Sequence, residues 1–153
     1  MAGAQRQLAF GFEDSARNMP LHWTLDPQER LLTAEAIGAI TRDEAAAFLD
    51  AVEAAGIEAM TYRKLFDGSR GNAAMGADDL LALGSRIRGF HALGPMGPLA
   101  VVVPLDNGEL IARVLGMLAA ADRPMRVFRE AMPAHRWIRA QPKFLTGRHP
   151  VNS

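Results

Sequence analysis

Residues Leu99 to Val103 read LAVVV, five apolar residues in succession with no polar residue between them. A strand with one face in water alternates apolar and polar residues, whereas a strand covered on both faces is apolar throughout. The stretch therefore predicts a central strand that helices shield from both sides. Pro104 follows directly and ends the strand, because proline has no backbone N–H to donate to a sheet.

The sequence before this strand predicts a β-hairpin followed by a helix. Residues 21–41 read as two strands, and Pro27 suits the second position of the turn that joins them. Thr41 and Glu44 have the spacing of a capping box, which starts a helix. Gly56 can supply the left-handed residue that ends that helix.

Further strands and helices alternate along the rest of the chain. The predicted elements are a third strand that ends at Asp67, a second helix over about 78–93, a third helix capped by Asp106, a fifth strand over 125–128 and a last helix with Pro133 in its first turn. The order β-β-α-β-α-β-α-β-α predicts an α/β fold with a mixed five-stranded sheet. Its opening hairpin is antiparallel, and βαβαβ crossovers follow.

The length of 153 residues fits a single domain, which we place at residues 19–139. Residues 1–18 and 140–153 lack a periodic pattern and are expected to be a flexible leader and a flexible tail, and Met19 could be the natural start. No apolar run approaches the roughly 20 residues of a membrane span. The chain has no cysteine, which is compatible with the cytoplasm, our expected location.

The charges balance overall, with 17 acidic and 17 basic residues, but they are unevenly distributed. Residues 1–60 hold ten acidic and four basic residues, whereas residues 61–153 hold seven acidic and thirteen basic ones. This asymmetry favours two oppositely charged faces and self-association over binding of nucleic acid. Basic residues near the carboxyl terminus alternate around a strand and a helix, so they do not share one binding face.

No motif for catalysis, metal binding or a cofactor is found. The four histidines lack metal-ligand spacing, and no G-x-S-x-G motif marks a nucleophile. The loop after Asp67 has glycines, but it lacks the Lys-Ser/Thr of a phosphate-binding loop, and Asp78 and Asp79 would repel phosphate. We therefore predict that the protein is not an enzyme and has neither a metal site nor a cofactor.

Three stretches resemble a known family: YRKLFDGS, LGSRIRGFHALGPMGPLAVVV and RPMRVFREAMPAHRWI. Together with the hairpin, they are similar to the SpoIIAA-like, or STAS/SEC14-type, bacterial proteins over roughly residues 19–139. The resemblance implies a small mixed sheet with helices mainly on one face and a regulatory or ligand-binding role. Signalling members carry a phosphorylated serine at the start of the helix after the third strand. Residues 75–80 (MGADDL) have no hydroxyl there, so we expect no phosphoserine switch.

Two functions without catalysis are predicted. The first is contact with a protein partner through the connection between the third strand and the second helix. Ser69 there could accept phosphate, but Asp67-Gly68-Ser69 is better explained as a turn in which Asp67 bonds nearby amides. The residues predicted for this contact surface are Asp67, Ser69, Arg70, Met75, Gly76 and Asp78.

The second predicted function is binding of an apolar or amphipathic small molecule. Its cavity would lie between the second helix, the third helix and the sheet. The continuous apolar run from Leu110 to Leu118 indicates that the third helix buries two sides, one against the sheet and one against a ligand or a second subunit, hence a possible homodimer. The residues predicted to line the cavity are Leu83, Ile87, Phe90, Leu110, Val114 and Met117.

Overall fold

A five-stranded mixed sheet forms the centre of the computed structural model, which describes residues 20–103 and 123–143. The strands follow each other in space as in the chain, β1-β2-β3-β4-β5. The first two pair antiparallel and the other neighbours pair parallel, as predicted. The strands are β1 (Leu21–Asp26), β2 (Leu31–Ile40), β3 (Arg63–Ala73), β4 (Leu99–Val102) and β5 (Met125–Phe128).

Helices cover both faces of this sheet. They are α1 (Arg42–Ala54), α2 (Ile57–Met60), α3 (Ala77–Phe90) and α4 (Ala131–Ala140). Apolar side chains of α1 and α3 share one core with Leu32 and Ala34 of β2, whereas Ala134 and Ile138 of α4 pack on the opposite face. Two of the three longer helices described here therefore lie on one face. The predicted third helix lies outside the described residues.

The hairpin turn and the first helix cap agree with the sequence prediction. The backbone N–H of Glu29 donates to the Asp26 carboxylate over 3.1 Å, which closes the turn. Thr41 and Glu44 form the complete capping box, with each side chain bonded to the backbone N–H of the other. Gly56 has a φ of +99° and separates α1 from the short helix α2, which the sequence analysis did not predict.

Strand β4 is buried along its whole length, as its apolar run predicted. Leu99 and Val101 pack on the face that carries α3, while Ala100 and Val102 join the core beneath α4. However, β4 is the fourth of five strands, and the middle strand is β3. The expectation that β4 lies at the middle of the sheet is wrong. An apolar run indicates that both faces of a strand are buried, but it does not indicate the position of the strand in the sheet.

Strand β3 is longer than predicted and does not end at Asp67. It continues to Ala73, where its partner is Ile40 of β2. The small residues after Asp67 are typical of a loop in sequence, but here they pair with the backbone of the second half of β2 and so extend the strand. The register shifts where two residues of β3, Gly68 and Ser69, oppose the single residue Ala36 of β2, which is a β-bulge.

Candidate functional site

A cavity of about 250 Å³ lies between the sheet and the pair of helices α1 and α3. Its floor is formed by residues of β2 and β3 that point to this face, among them Leu32 and Phe66. Phe48 of α1 and Leu83 of α3 contribute to its walls. Most of its described lining is aliphatic or aromatic, so the cavity suits an apolar molecule.

Small residues on the two long strands border this cavity. Ala36 of β2 and Gly68 and Gly71 of β3 line it. A side chain at Gly71 has no room, because a Cβ atom there would lie 2.8 Å from the Cβ atom of Ala36. At Gly68 a Cβ atom would lie 3.1 Å from the carbonyl oxygen of Val102. The glycines that resembled a loop in the sequence therefore permit close packing of neighbouring strands.

An aromatic row supports one wall of the cavity. The rings of Phe48 and Phe66 have centroids 6.3 Å apart, and the ring of Trp23 meets Phe48 edge-on at 5.1 Å. Aromatic pairs with this spacing and tilt stabilise a core beyond the area they bury. The row connects β1, α1 and β3, and this fixes the position of Phe48 and Phe66 next to the cavity.

Ion pairs join helices α1 and α3 at the surface, and Arg86 of α3 makes the shortest of those described. Nη2 of Arg86 lies 2.7 Å from a carboxylate oxygen of Asp50 and 3.1 Å from one of Glu53. Its Nη1 donates to the carbonyl oxygen of Ala46 over 3.4 Å. The hydrogen bond to Asp50 is the main cause of a raised pKa of Arg86. These contacts hold together the two helices that roof the cavity.

Lys64 is a buried cation at the cavity, with 8 % of its surface exposed. It lies on β3 two residues before Phe66, and both side chains therefore point to the same face. Its Nζ donates to the carbonyl oxygens of Met60 and, over 3.0 Å, Tyr62. Burial, assisted by the charge of Arg123, lowers the pKa of Lys64 from its ordinary value of 10.5 to about 7.

Arg123 is the second cation that lines the cavity. Its Nη1 donates to the carbonyl oxygen of Gly97 over 3.3 Å, while its Nε is buried without a hydrogen-bond partner. Burial lowers the pKa of Arg123 to about 10. Within residues 20–103 and 123–143, no carboxylate forms an ion pair with Arg123 or Lys64.

The predicted pocket coincides with the cavity at the three predicted lining residues that the structure describes. Leu83, Ile87 and Phe90 line the cavity, whereas Leu110, Val114 and Met117 lie outside the described residues. Sequence analysis missed Lys64 and Arg123. The position of Lys64, two residues from Phe66 in a predicted strand, was the signal that could have placed it inward.

The predicted contact surface lies around the second half of β3 and the start of α3. Ser69, Arg70, Gly76 and Asp78 are exposed, and Asp67 and Met75 are half-buried. One carboxylate oxygen of Asp67 accepts from the backbone N–H of Ser69 over 3.0 Å and from its hydroxyl over 2.6 Å. This is the local bonding predicted for Asp67, although it occurs within a bulged strand. Arg70 pairs with Glu35 of β2 over 3.1 Å.

The described residues form neither a metal-binding cluster nor a membrane span. Side chains of His, Asp and Glu do not gather in groups of three or more that could hold a metal ion there. No helix among these residues has both the length and the apolar character required to cross a bilayer.

Comparison with known proteins identifies the fold. No model of a protein family matches the chain, and no curated protein matches it. A similar solved structure is that of an uncharacterised protein from Shewanella loihica, from the DUF3478 family and with a SpoIIAA-like fold. The similarity has a TM-score of 0.53 at 18 % sequence identity and covers 77 % of this chain and 93 % of the other. The chain has a SpoIIAA-like fold, as its sequence predicted.

Proposed function

We propose that the protein is a non-enzymatic STAS-like module that binds a small apolar or amphipathic molecule in the cavity beneath α1 and α3. The volume of that cavity, about 250 Å³, carries the proposal. An apolar cavity of roughly 150 Å³ already takes up benzene, and pockets for drug-sized ligands begin at about 300 Å³. The cavity is thus suited to a molecule between these two sizes.

The ionisable groups at the cavity support binding rather than catalysis. Lys64 and Arg123 are the ionisable residues that the described part of the chain contributes to the lining. A lysine whose pKa is lowered by burial can act as a general base or a nucleophile, but its Nζ must then be directed at the substrate. Nζ of Lys64 instead donates to the carbonyl oxygens of Met60 and Tyr62, and no carboxylate, histidine or hydroxyl of the described residues lines the cavity.

Filling the cavity tests this function. Leu83 of α3 lines the cavity, whereas Leu81 of the same helix points outward and is 43 % exposed. We expect the wild type to bind the uncharged dye Nile red with a rise in its fluorescence and to release it when decanol is added. Leu83→Trp should abolish this binding, because the larger side chain occupies the space of the ligand. Leu81→Trp is the matched control and should bind as the wild type does.

Two results would contradict the proposal. A wild type that takes up neither Nile red nor decanol has no accessible apolar site. Equal binding by Leu83→Trp and the wild type, with both folded by circular dichroism, would place the dye elsewhere on the protein. A native mass spectrum of protein from its own cells should also show a small bound molecule, and it would report the predicted homodimer.

A second candidate function is contact with a protein partner through the predicted surface of Asp67, Ser69, Arg70, Met75, Gly76 and Asp78. The exposure of Ser69 and Arg70 in the second half of β3 favours it. A photo-crosslinking amino acid at position 69 should capture one defined partner in cells, and the same amino acid at the exposed position of Ala47 on α1 should not. Equal capture at both positions would indicate nonspecific contact.

A further inference from the structure

The two cations of the cavity, the buried Lys64 and the half-buried Arg123, lie at the same end of the sheet. The carbonyl oxygen of Met60, just before β3, accepts from Nζ of Lys64 and also from the backbone N–H of Gly97. The carbonyl oxygen of Gly97, just before β4, in turn accepts from Arg123, which precedes β5. A chain of hydrogen bonds through Met60 and Gly97 thus holds both side chains at the amino-terminal ends of β3 and β5, on either side of β4.

We propose that Lys64 and Arg123 form an anion-binding end of the cavity, and that its ligand is a single-chain amphiphile with a carboxylate head. This inference rests on the proposed function, because it assigns the class of molecule that the cavity binds.

The charges of the two residues require a partner. Burial of an unpaired cation is costly, and two cations of like sign in one cavity increase that cost. Their described neighbours offer backbone carbonyl oxygens but no carboxylate. In their charged forms both side chains only donate hydrogen bonds, and the buried Nε of Arg123 has no acceptor among the described residues. A carboxylate has two acceptor oxygens and one negative charge, and a guanidinium binds it with matching geometry.

The rest of the cavity suits an alkyl chain. Its lining follows β3 from Lys64 to Gly71, and the seven steps between these residues, at roughly 3.3 Å each, span about 23 Å. Beyond Lys64 this lining includes Phe66, Val101 and Val103, which provide apolar surface along the length. A site with two cations at one end and apolar walls beyond them favours a molecule with one charged head and one narrow apolar tail.

Decanoate and decanol test this assignment, because they share an alkyl chain and differ in charge. We expect decanoate to displace Nile red from the wild type at a concentration at least about tenfold lower than decanol requires. A charge-assisted hydrogen bond to the carboxylate would contribute this difference in affinity. Lys64→Met and Arg123→Met should each remove most of this preference while they still bind decanol. Arg88→Met, which removes an exposed arginine of α3, should keep the preference of the wild type.

The outcomes separate this inference from the proposed function. If decanol binds but decanoate has no advantage, or if both variants keep the full preference, the cations have only a structural role and the inference is wrong. If neither compound binds, the proposed function fails together with it. Should Lys64→Met not fold, Arg123→Met and the conservative Arg123→Lys give the answer, since Arg123→Lys should retain part of the preference that Arg123→Met loses.

Discussion

Arg86 of α3 reaches Asp50 of α1 with a separation of 2.7 Å between Nη2 and the carboxylate oxygen. Its side chain is 31 % exposed, and the contact therefore lies partly in water. The pair, extended to Glu53, spans the gap between the two helices that cover the cavity. A longer contact of 3.7 Å between Arg42 of α1 and Asp79 of α3 joins the same two helices.

Replacement of Arg86 should loosen the two helices moderately. We expect Arg86→Met to lower the free energy of unfolding by about 1 kcal/mol, since partly exposed ion pairs each contribute a few tenths to one. Urea denaturation would measure the loss. The difference from the wild type should shrink in high salt, which screens surface charges. An effect that is unchanged by salt would mean that lost packing, not charge, is responsible. Arg88→Met, on an exposed position of the same helix, serves as the control.

Gly97 should tolerate no side chain. A Cβ atom at this position would collide with the carbonyl oxygens of Thr61 and Tyr62, which belong to the backbone and cannot rotate away. Gly97→Ala should therefore lower the free energy of unfolding by several kcal/mol, in the range of overpacked core variants or beyond it. Thermal denaturation gives the measurement.

Gly89→Ala is the matched control for that variant. Gly89 lies within α3, and a Cβ atom there would meet nothing within 4 Å. Alanine is the better helix former, so we expect a gain of about 0.5–1 kcal/mol. Similar stability of the two variants would show that the approach of Gly97 to Thr61 and Tyr62 is not as close as described.

The capping box of α1 should contribute measurably to stability. Thr41→Ala removes the side-chain oxygen that accepts from the backbone N–H of Glu44, and the expected loss is about 1 kcal/mol. Thr41→Ser keeps that oxygen and should be close to neutral. Chemical denaturation of the two variants compares them directly, and an equal loss in both would assign the effect to the methyl group.

Lys64 should make stability depend on pH. Its pKa in the folded protein is about 7, against 10.5 ordinarily, so between these values the unfolded chain binds a proton that the folded chain does not. Stability therefore rises with pH across this window, by up to about 1.4 kcal/mol per pH unit. Below about pH 7 both states are protonated, and the full cost of the buried charge is present.

The variant Lys64→Met isolates this effect. Among the described residues, Arg123 is the charged group that acts on Lys64, and it remains cationic through most of the window because its own pKa is about 10. In urea denaturation at several pH values between 7 and 10, the free energy of unfolding of the wild type should rise with pH relative to that of the variant. Parallel pH profiles would mean that Lys64 keeps its ordinary pKa and is hydrated.

Local signals in the sequence predicted most of the fold. The turn after Asp26, the capping box at Thr41, the strand MRVF and Pro133 in the first turn of α4 are each determined by residues within a few positions of one another. Such short-range rules act before any tertiary contact forms, and this is why they could be read without the structure.

The features that were missed depend on distant residues. The extension of β3 past Asp67 is imposed by the ladder that Ile37 to Ile40 of β2 provides, which local composition does not show. The short helix α2 has four residues and no periodicity. Lys64 was not predicted at the cavity because lysine is rarely buried, although its alternation with Phe66 places it on the inner face of the strand.

The matching order of strands in space and in sequence has a consequence for biogenesis. Every strand described here pairs with the strand that precedes it in the chain, so none must be inserted between two strands that have already paired. The sheet can thus be extended from one edge as the polypeptide leaves the ribosome, starting from the hairpin. Each newly emerged strand then finds its template already in place, which limits the time that an open edge is available for aggregation.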